Sequence, residues 1–166
     1  MVLAPIRVGV LGCGNVGGAL VEMLAGESEA IAGRSGVRLE VGRVAVADLA
    51  KPRGMDLAPY RPTTDPAEVV ADPEVDVVVE LIGGIEPAKT LIRAALEMGK
   101  PVVTANKELL AHHGSELFEL ASKAGVELLF EAAVAGAIPL IRPLRESLAG
   151  ERITAVMGIV NGTTNY

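Results

Sequence analysis

At 166 residues the chain has the length of one ordinary domain, able to bury about two thirds of the surface its unfolded form exposes. Half of the residues are hydrophobic, but with two Phe, two Tyr and no Trp the core must be built from Val, Leu, Ile and Ala, as in sheets covered by helices on both faces. Twenty-one acidic against 15 basic side chains leave a net charge of −6 with the basic residues scattered singly, which argues against a nucleic-acid surface, and no run approaches the roughly 18 apolar residues of a membrane-spanning helix.

Residues 6–11 form a short apolar run that reads as a strand, followed at once by Gly12-Cys13-Gly14-Asn15-Val16-Gly17. Beyond it Val16, Ala19, Leu20, Met23 and Leu24 recur at helical spacing and mark the expected buried face of a first helix. The polar, glycine-bearing stretch 26–36 is expected to be a loop or a second short helix. A second strand covers 38–47, with Asp48 just past it, and 51–62, with three prolines and a glycine, reads as a surface excursion. Asp65-Pro66 has the form of a helix cap with proline in the first turn, and that helix should reach about Ala71. Residues 75–81 are a buried strand ending at Gly83-Gly84. Glu86-Pro87 opens a helix with Ala88, Leu91, Ile92, Ala95 and Leu96 on its buried face and Gly99 as its stop. A strand at 101–104, a helix over 106–124 broken near Gly114, a strand at 126–131, a helix at 138–148 and a final strand at 153–160 complete the pattern. Strands alternate with helices throughout, and a parallel strand needs a long crossover that a helix supplies. The expected architecture is therefore an α/β fold of the Rossmann type, a doubly wound, mostly parallel sheet with helices on both faces.

G-x-G-x-x-G gains meaning from its place between a strand and an amphipathic helix. Gly12 permits the tight turn, Gly14 lets the backbone approach a pyrophosphate, and Gly17 allows close packing of helix on strand, while the helix N-terminus offers free N–H groups to the phosphates. Asp48 can bond a ribose 2′-hydroxyl, whereas Lys51 and Arg53 close behind could hold a 2′-phosphate, so both NAD and NADP remain open as cofactor. In an open α/β sheet, ligands sit at the carboxyl ends of the strands, which adds the turns 81–84, 104–107 and 131–139 to the candidate site. Lys107 stands at a helix start, against the helix dipole, which points to a functional lysine. Glu131 with the carbonyls of the glycine-bearing turn after it could take a hard cation, or could be a capped carboxylate at a strand end. Residues 1–10 lack the basic start and small-residue cleavage site of an export signal, and Cys13, the single cysteine, cannot form an internal disulfide. A soluble, cytoplasmic protein with an incidental thiol is expected.

Taken in order, "VGVLGCGNVGGALVEML", "VVELIGG", "TANKELLA", "FEAAVAGAIPLI" and "NGTTNY" make the chain closely similar to the homoserine dehydrogenase family over essentially its whole length. The resemblance implies NAD(P)-dependent interconversion of homoserine and aspartate 4-semialdehyde on the route to threonine and methionine. It assigns Gly12, Gly14, Asn15, Val16, Gly17, Ile82, Gly83, Thr104, Asn106 and Lys107 to the cofactor, with Lys107 also near the substrate as the catalytic lysine. It assigns Glu131 and the carbonyls of Val134, Gly136 and Ile138 to a sodium ion, and Gly162 and Thr163 to the substrate. Ala47 stands where many members carry a basic residue. The family's substrate domain follows "NGTTNY" and brings the proton-donating lysine. The expectation is thus a cofactor-binding domain at 1–150 and the lead into a catalytic domain at 151–166, inactive and monomeric by itself, from a homodimeric parent. Another amino-acid dehydrogenase, such as an aspartate dehydrogenase, and a non-catalytic nucleotide-sensing module are the alternatives.

Overall fold

The structure is a computed structural model and describes residues 4–157. Five parallel strands, β1 (Ile6–Leu11), β2 (Leu39–Ala45), β3 (Val77–Glu80), β4 (Val102–Thr104) and β5 (Leu128–Leu129), lie in the order β2-β1-β3-β4-β5. The helices are α1 (Asn15–Ser35), α2 (Pro66–Ala71), α3 (Ala88–Glu97) and α4 (Lys107–Ala124), with short helical turns after β2 and β5. The chain moves from β1 outward to β2, then returns across β1 to β3 and continues outward through β4 and β5. The direction of winding therefore reverses between β1 and β3, which opens a crevice there at the carboxyl ends of the strands.

Each sheet face carries its own aliphatic core. Val8, Val10 and Val44 pack with Val21 and Leu24 of α1 and with Leu57. On the other face Leu11, Val78 and Val102 pack against α2, α3 and α4. Period-two alternation along β1 sorts the residues between the two. Gly9 falls on the α2 face, where a Cβ would lie 2.7 Å from Val69 and Val75, so a side chain has no room.

Several expectations are met closely. Asp65 caps α2 by accepting from the Ala67 amide, and the buried residues of α3 are Ala88, Leu91, Ile92, Ala95 and Leu96, with Gly99 left-handed at its end. Others need correcting. No loop separates a first helix from 26–36: α1 runs unbroken through Gly26 and Gly33 and stops at left-handed Gly36. Its buried residues are Gly17, Val21 and Leu24, while Val16 and Met23 are exposed. Likewise α4 continues through Gly114, where the Phe118 ring folds over the bare backbone and packs on Phe130 at 4.9 Å. A glycine costs roughly 1 kcal/mol inside a helix, less than α4 gains by burying Leu109, Leu117 and Ala121. In the expected helix at 138–148 only a short helical start and a wide π turn, Pro143–Ser147, form. Residues 153–157 of the expected last strand are exposed and unpaired, and 158–160 lie outside the described residues.

Candidate functional site

The glycine turn opens the crevice. Gly12 is left-handed at φ +95°, and its added Cβ would meet the Leu81 carbonyl at 2.9 Å, so β1 can pass this close to the end of β3 only through glycine. Gly17 is tighter still: a Cβ would sit 2.0 Å from the Gly12 carbonyl oxygen, which fixes how closely α1 rides on the turn. Gly14 differs, with nothing within 4 Å of its Cβ position. Its bare backbone faces open space at the start of α1, whose first N–H groups carry the positive end of the helix dipole. A pyrophosphate fits this cradle on shape and on charge.

Two clefts flank the turn. The larger, about 510 Å³, is bordered by Gly12, Cys13, Gly14, Asp48, Lys51, Arg53 and Ile82. The smaller, about 130 Å³, is bordered by Val16, Glu80, Leu81, Ile82, Gly83 and Asn106. Ile82 borders both, so an extended two-part ligand could run from one cleft to the other past its side chain. Val16, 65% exposed, stands at the mouth of the smaller cleft rather than on the expected buried face.

At the larger cleft Asp48 accepts from the Ala50 amide at 2.8 Å. The Arg53 guanidinium donates to the carbonyls of Asp48 and Lys51, both at 2.9 Å, and reaches the Cys13 carbonyl at 3.4 Å. Arg53 thus straps the loop after β2 onto the glycine turn, a role its sequence position did not announce. Cys13 is buried, and burial pushes its thiol above the ordinary range. It is a packed thiol within the turn.

At the smaller cleft the turn after β3 contains two left-handed glycines, Gly83 and Gly84. Glu80 lies beneath it. This carboxylate is fully buried and accepts from the amides of Ile82 at 2.8 Å and Gly83 at 3.0 Å and from the Thr104 hydroxyl at 2.6 Å. Thr104, expected beside the cofactor, is itself fully buried, its hydroxyl accepting from the Asn106 amide at 3.0 Å. Asn106 caps α4 by accepting from the Leu109 amide and donates from its side chain to the Gly84 carbonyl at 2.6 Å. Lys107 follows as the first residue of α4, exposed, and no ion pair among the described residues involves it. Sequence reasoning passed over Glu80; the available signal was one acidic residue closing the apolar run "VVVE".

Glu131 lies beyond β5, in a 3-10 turn. Its carboxylate accepts from the amides of Leu140 at 2.5 Å, Ile141 at 3.0 Å and Arg142 at 2.8 Å. The Leu140 amide above all, with those of Arg142 and Ile141, holds the acid below the usual carboxylate range, against a smaller opposing effect of desolvation. The capped-carboxylate alternative is thus realised. The carbonyls named for a cation remain available in part, because among the described residues the turn's hydrogen bonds run to Phe130, Glu131 and Ala135 and not to Val134, Gly136 or Ile138. Gly162 and Thr163 lie outside the described residues.

Residues 12–131 match the family model described as "Homoserine dehydrogenase, NAD binding domain", and residues 139–166 match one described as "Homoserine dehydrogenase". Homoserine dehydrogenase of a Synechocystis strain is 47% identical over 163 residues, covering 97% of this chain and 37% of that protein. The Corynebacterium glutamicum protein of the same name is 49% identical over 161 residues, covering 97% and 36%. The crystal structure of a homoserine dehydrogenase from Thiobacillus denitrificans superposes with a TM-score of 0.81 at 49% identity, covering 89% of this chain and 34% of the other. The chain thus spans little more than a third of the length of the curated relatives it matches.

Proposed function

This chain belongs to the homoserine dehydrogenase family, and from that premise we propose that it is the nicotinamide-binding part of an oxidoreductase interconverting L-homoserine and L-aspartate 4-semialdehyde, in threonine and methionine biosynthesis. The observation that carries the proposal is the bare Gly14 cradle at the start of α1, set between two clefts at the point where the strand order reverses. The adenosine end would take the larger cleft, the pyrophosphate the cradle, and the nicotinamide the smaller cleft past Ile82. When bound, the nicotinamide supplies or accepts the hydride. Lys107 would stabilise negative charge developing on the substrate oxygen, since it is an exposed cation next in the chain to Asn106, which borders that cleft, and has no ion-pair partner among the described residues. Gly162 and Thr163 would touch the substrate.

Residues 1–150 would form the cofactor domain and 151–166 the lead into the part that completes the site. In the longer protein, a cytoplasmic homodimer on this reading, that part would donate the proton. Residues 1–166 alone are expected to bind cofactor, as a monomer, with little or no turnover. Asp48 favours a free 2′-hydroxyl and Lys51 a 2′-phosphate, while the Arg53 guanidinium is already engaged by backbone carbonyls. A sodium ion on Glu131 and the carbonyls of Val134, Gly136 and Ile138 would share the carboxylate with three amides, using acceptor sites those leave open.

Fluorescence titration of the chain with NADH and NADPH, in sodium and in choline buffers, tests the cofactor site on which this reading stands. Saturable binding is expected, the affinity ratio reads the balance of Asp48 and Lys51, and a difference between buffers reads the cation. Absence of binding by either cofactor in both buffers would overturn the proposal.

A further inference from the structure

Glu80 presents an energetic problem. It is a fully buried carboxylate, and no ion pair among the described residues compensates it. A buried charge is tolerated when hydrogen bonds replace its hydration, but a valine would continue the apolar run without needing them. All three hydrogen bonds its carboxylate receives come from the turn after β3 and from the last residue of β4. One oxygen holds the amides of Ile82 and Gly83, in a turn whose left-handed pair Gly83-Gly84 has little intrinsic preference for one shape. The other oxygen holds Thr104, directly opposite Glu80 in the parallel register, and Thr104 holds the Asn106 amide. Asn106 closes the ring by donating to Gly84 and caps the helix that begins with Lys107.

We propose that Glu80 is a positioning residue: with Thr104 and Asn106 it forms a buried clamp that sets the spacing between the Ile82–Gly83 turn and the start of α4, and so holds Lys107 in register with the reactive end of the cofactor. The inference rests on the proposed nicotinamide site. It adds that this site is shaped from below by a carboxylate that touches neither cofactor nor substrate. A carboxylate suits the task because it accepts at both oxygens at once and is too short to move without breaking all three bonds.

Glu80→Gln keeps the shape but turns a donor toward a Thr104 hydroxyl that already accepts from Asn106. Thr104→Val removes the hydroxyl at constant volume, and Thr104→Ser keeps it. The expected result is about tenfold weaker NADH binding for Glu80→Gln and for Thr104→Val, no further loss in the double variant, and recovery to within about twofold in Thr104→Ser. Amide exchange at Ile82, Gly83 and Asn106 should quicken in the two weakened variants while that of Ile92 and Leu96, in the core of α3, stays as in the parent chain. Additive losses, or quickened exchange throughout the chain, would make Glu80 a general stabiliser and overturn the inference, as would unchanged NADH affinity. Should the parent chain bind neither NADH nor NADPH, the proposed function and the positioning role fall together. Protected Ile82 and Gly83 amides would then separate that failure from a clamp that never forms.

Discussion

Two glycines three residues apart in the phosphate turn show how one substitution can have two different costs. At Gly17 an added methyl would lie 2.0 Å from the Gly12 carbonyl oxygen, so either α1 must lift from the turn or the turn must open. Gly17→Ala is expected to destabilise the chain by about 1–3 kcal/mol, the usual range for overpacking, and to abolish measurable cofactor binding. At Gly14 the same methyl meets nothing within 4 Å among the described residues, and Gly14→Ala should leave stability within about 0.5 kcal/mol of the parent while weakening binding, because the methyl enters the space offered to the phosphates. Urea unfolding and NADH titration of both variants separate the effects. Equal losses of stability would show that the two positions are not distinguished by packing. Acidic side chains divide in a similar way. Glu131 was legible as important but ambiguous between cation ligand and cap, and its three amide partners come from a segment nine to eleven residues later that sequence spacing does not bring near. Glu80 gave almost no sign, because two of its partners are amides of a turn whose shape two glycines leave open, and the third lies on the neighbouring strand.

At the scale of elements, α1 is where local rules mislead. Gly26 and Gly33 suggest a break, yet the helix runs from Asn15 to Ser35, since the residues around them are mostly Ala and Glu, good helix formers, and Val21 and Leu24 anchor it to the sheet. Both glycines are exposed, neither has positive φ, and neither has an atom within 4 Å of its Cβ position. Gly26→Ala and Gly33→Ala should therefore each stabilise the chain by about 0.5–1 kcal/mol, roughly additively, as read from urea midpoints at unchanged slope. A destabilising Gly26→Ala would mean that the helix is strained there. By contrast α2 and α3 were legible almost to the residue. Asp65-Pro66 is a local signal that tertiary packing had no reason to override, and the five apolar positions of α3 keep one strict helical face. The face of α1 differs from the expected one where Val16, apolar and at the right spacing, lies at the smaller cleft instead of in the core. The expected strand from 153 illustrates the opposite limit, an apolar run that alone does not make a strand when its described residues find no neighbour to pair with.

Across the whole molecule, charge holds the side of the sheet remote from the site. Asp72, buried after α2, pairs with Arg43 of β2 and with Arg61, while its backbone carbonyl accepts from Lys100 at the approach to β4. Glu74, two residues on, pairs with Arg61 and with Arg7 at the start of β1. Four segments distant in sequence thus meet at one carboxylate and its neighbour. Burial works to raise the Asp72 carboxyl, but the Glu74 amide and the guanidinium groups of Arg61 and Arg43 outweigh it and hold the acid below its ordinary value. An acid depressed in the folded state contributes stability that is complete above the unfolded value of about 4 and is lost as the pH falls through the lower, folded value. Stability from this network should therefore be flat from pH 7 down to about 5 and fall below about 4. Asp72→Asn removes the titrating group and leaves two guanidinium groups without their buried partner, a cost of about 2 kcal/mol at pH 7 by the usual worth of a hydrogen bond to a charged group. The stability curves of parent and variant, measured by urea unfolding at intervals from pH 7 to pH 3, should converge in acid, because protonation removes from the parent what the substitution has already removed from the variant. Curves that stay parallel to pH 3 would show that the acid sensitivity lies elsewhere, with Glu116 and Glu131, also held below their ordinary range, as the next carboxylates to replace.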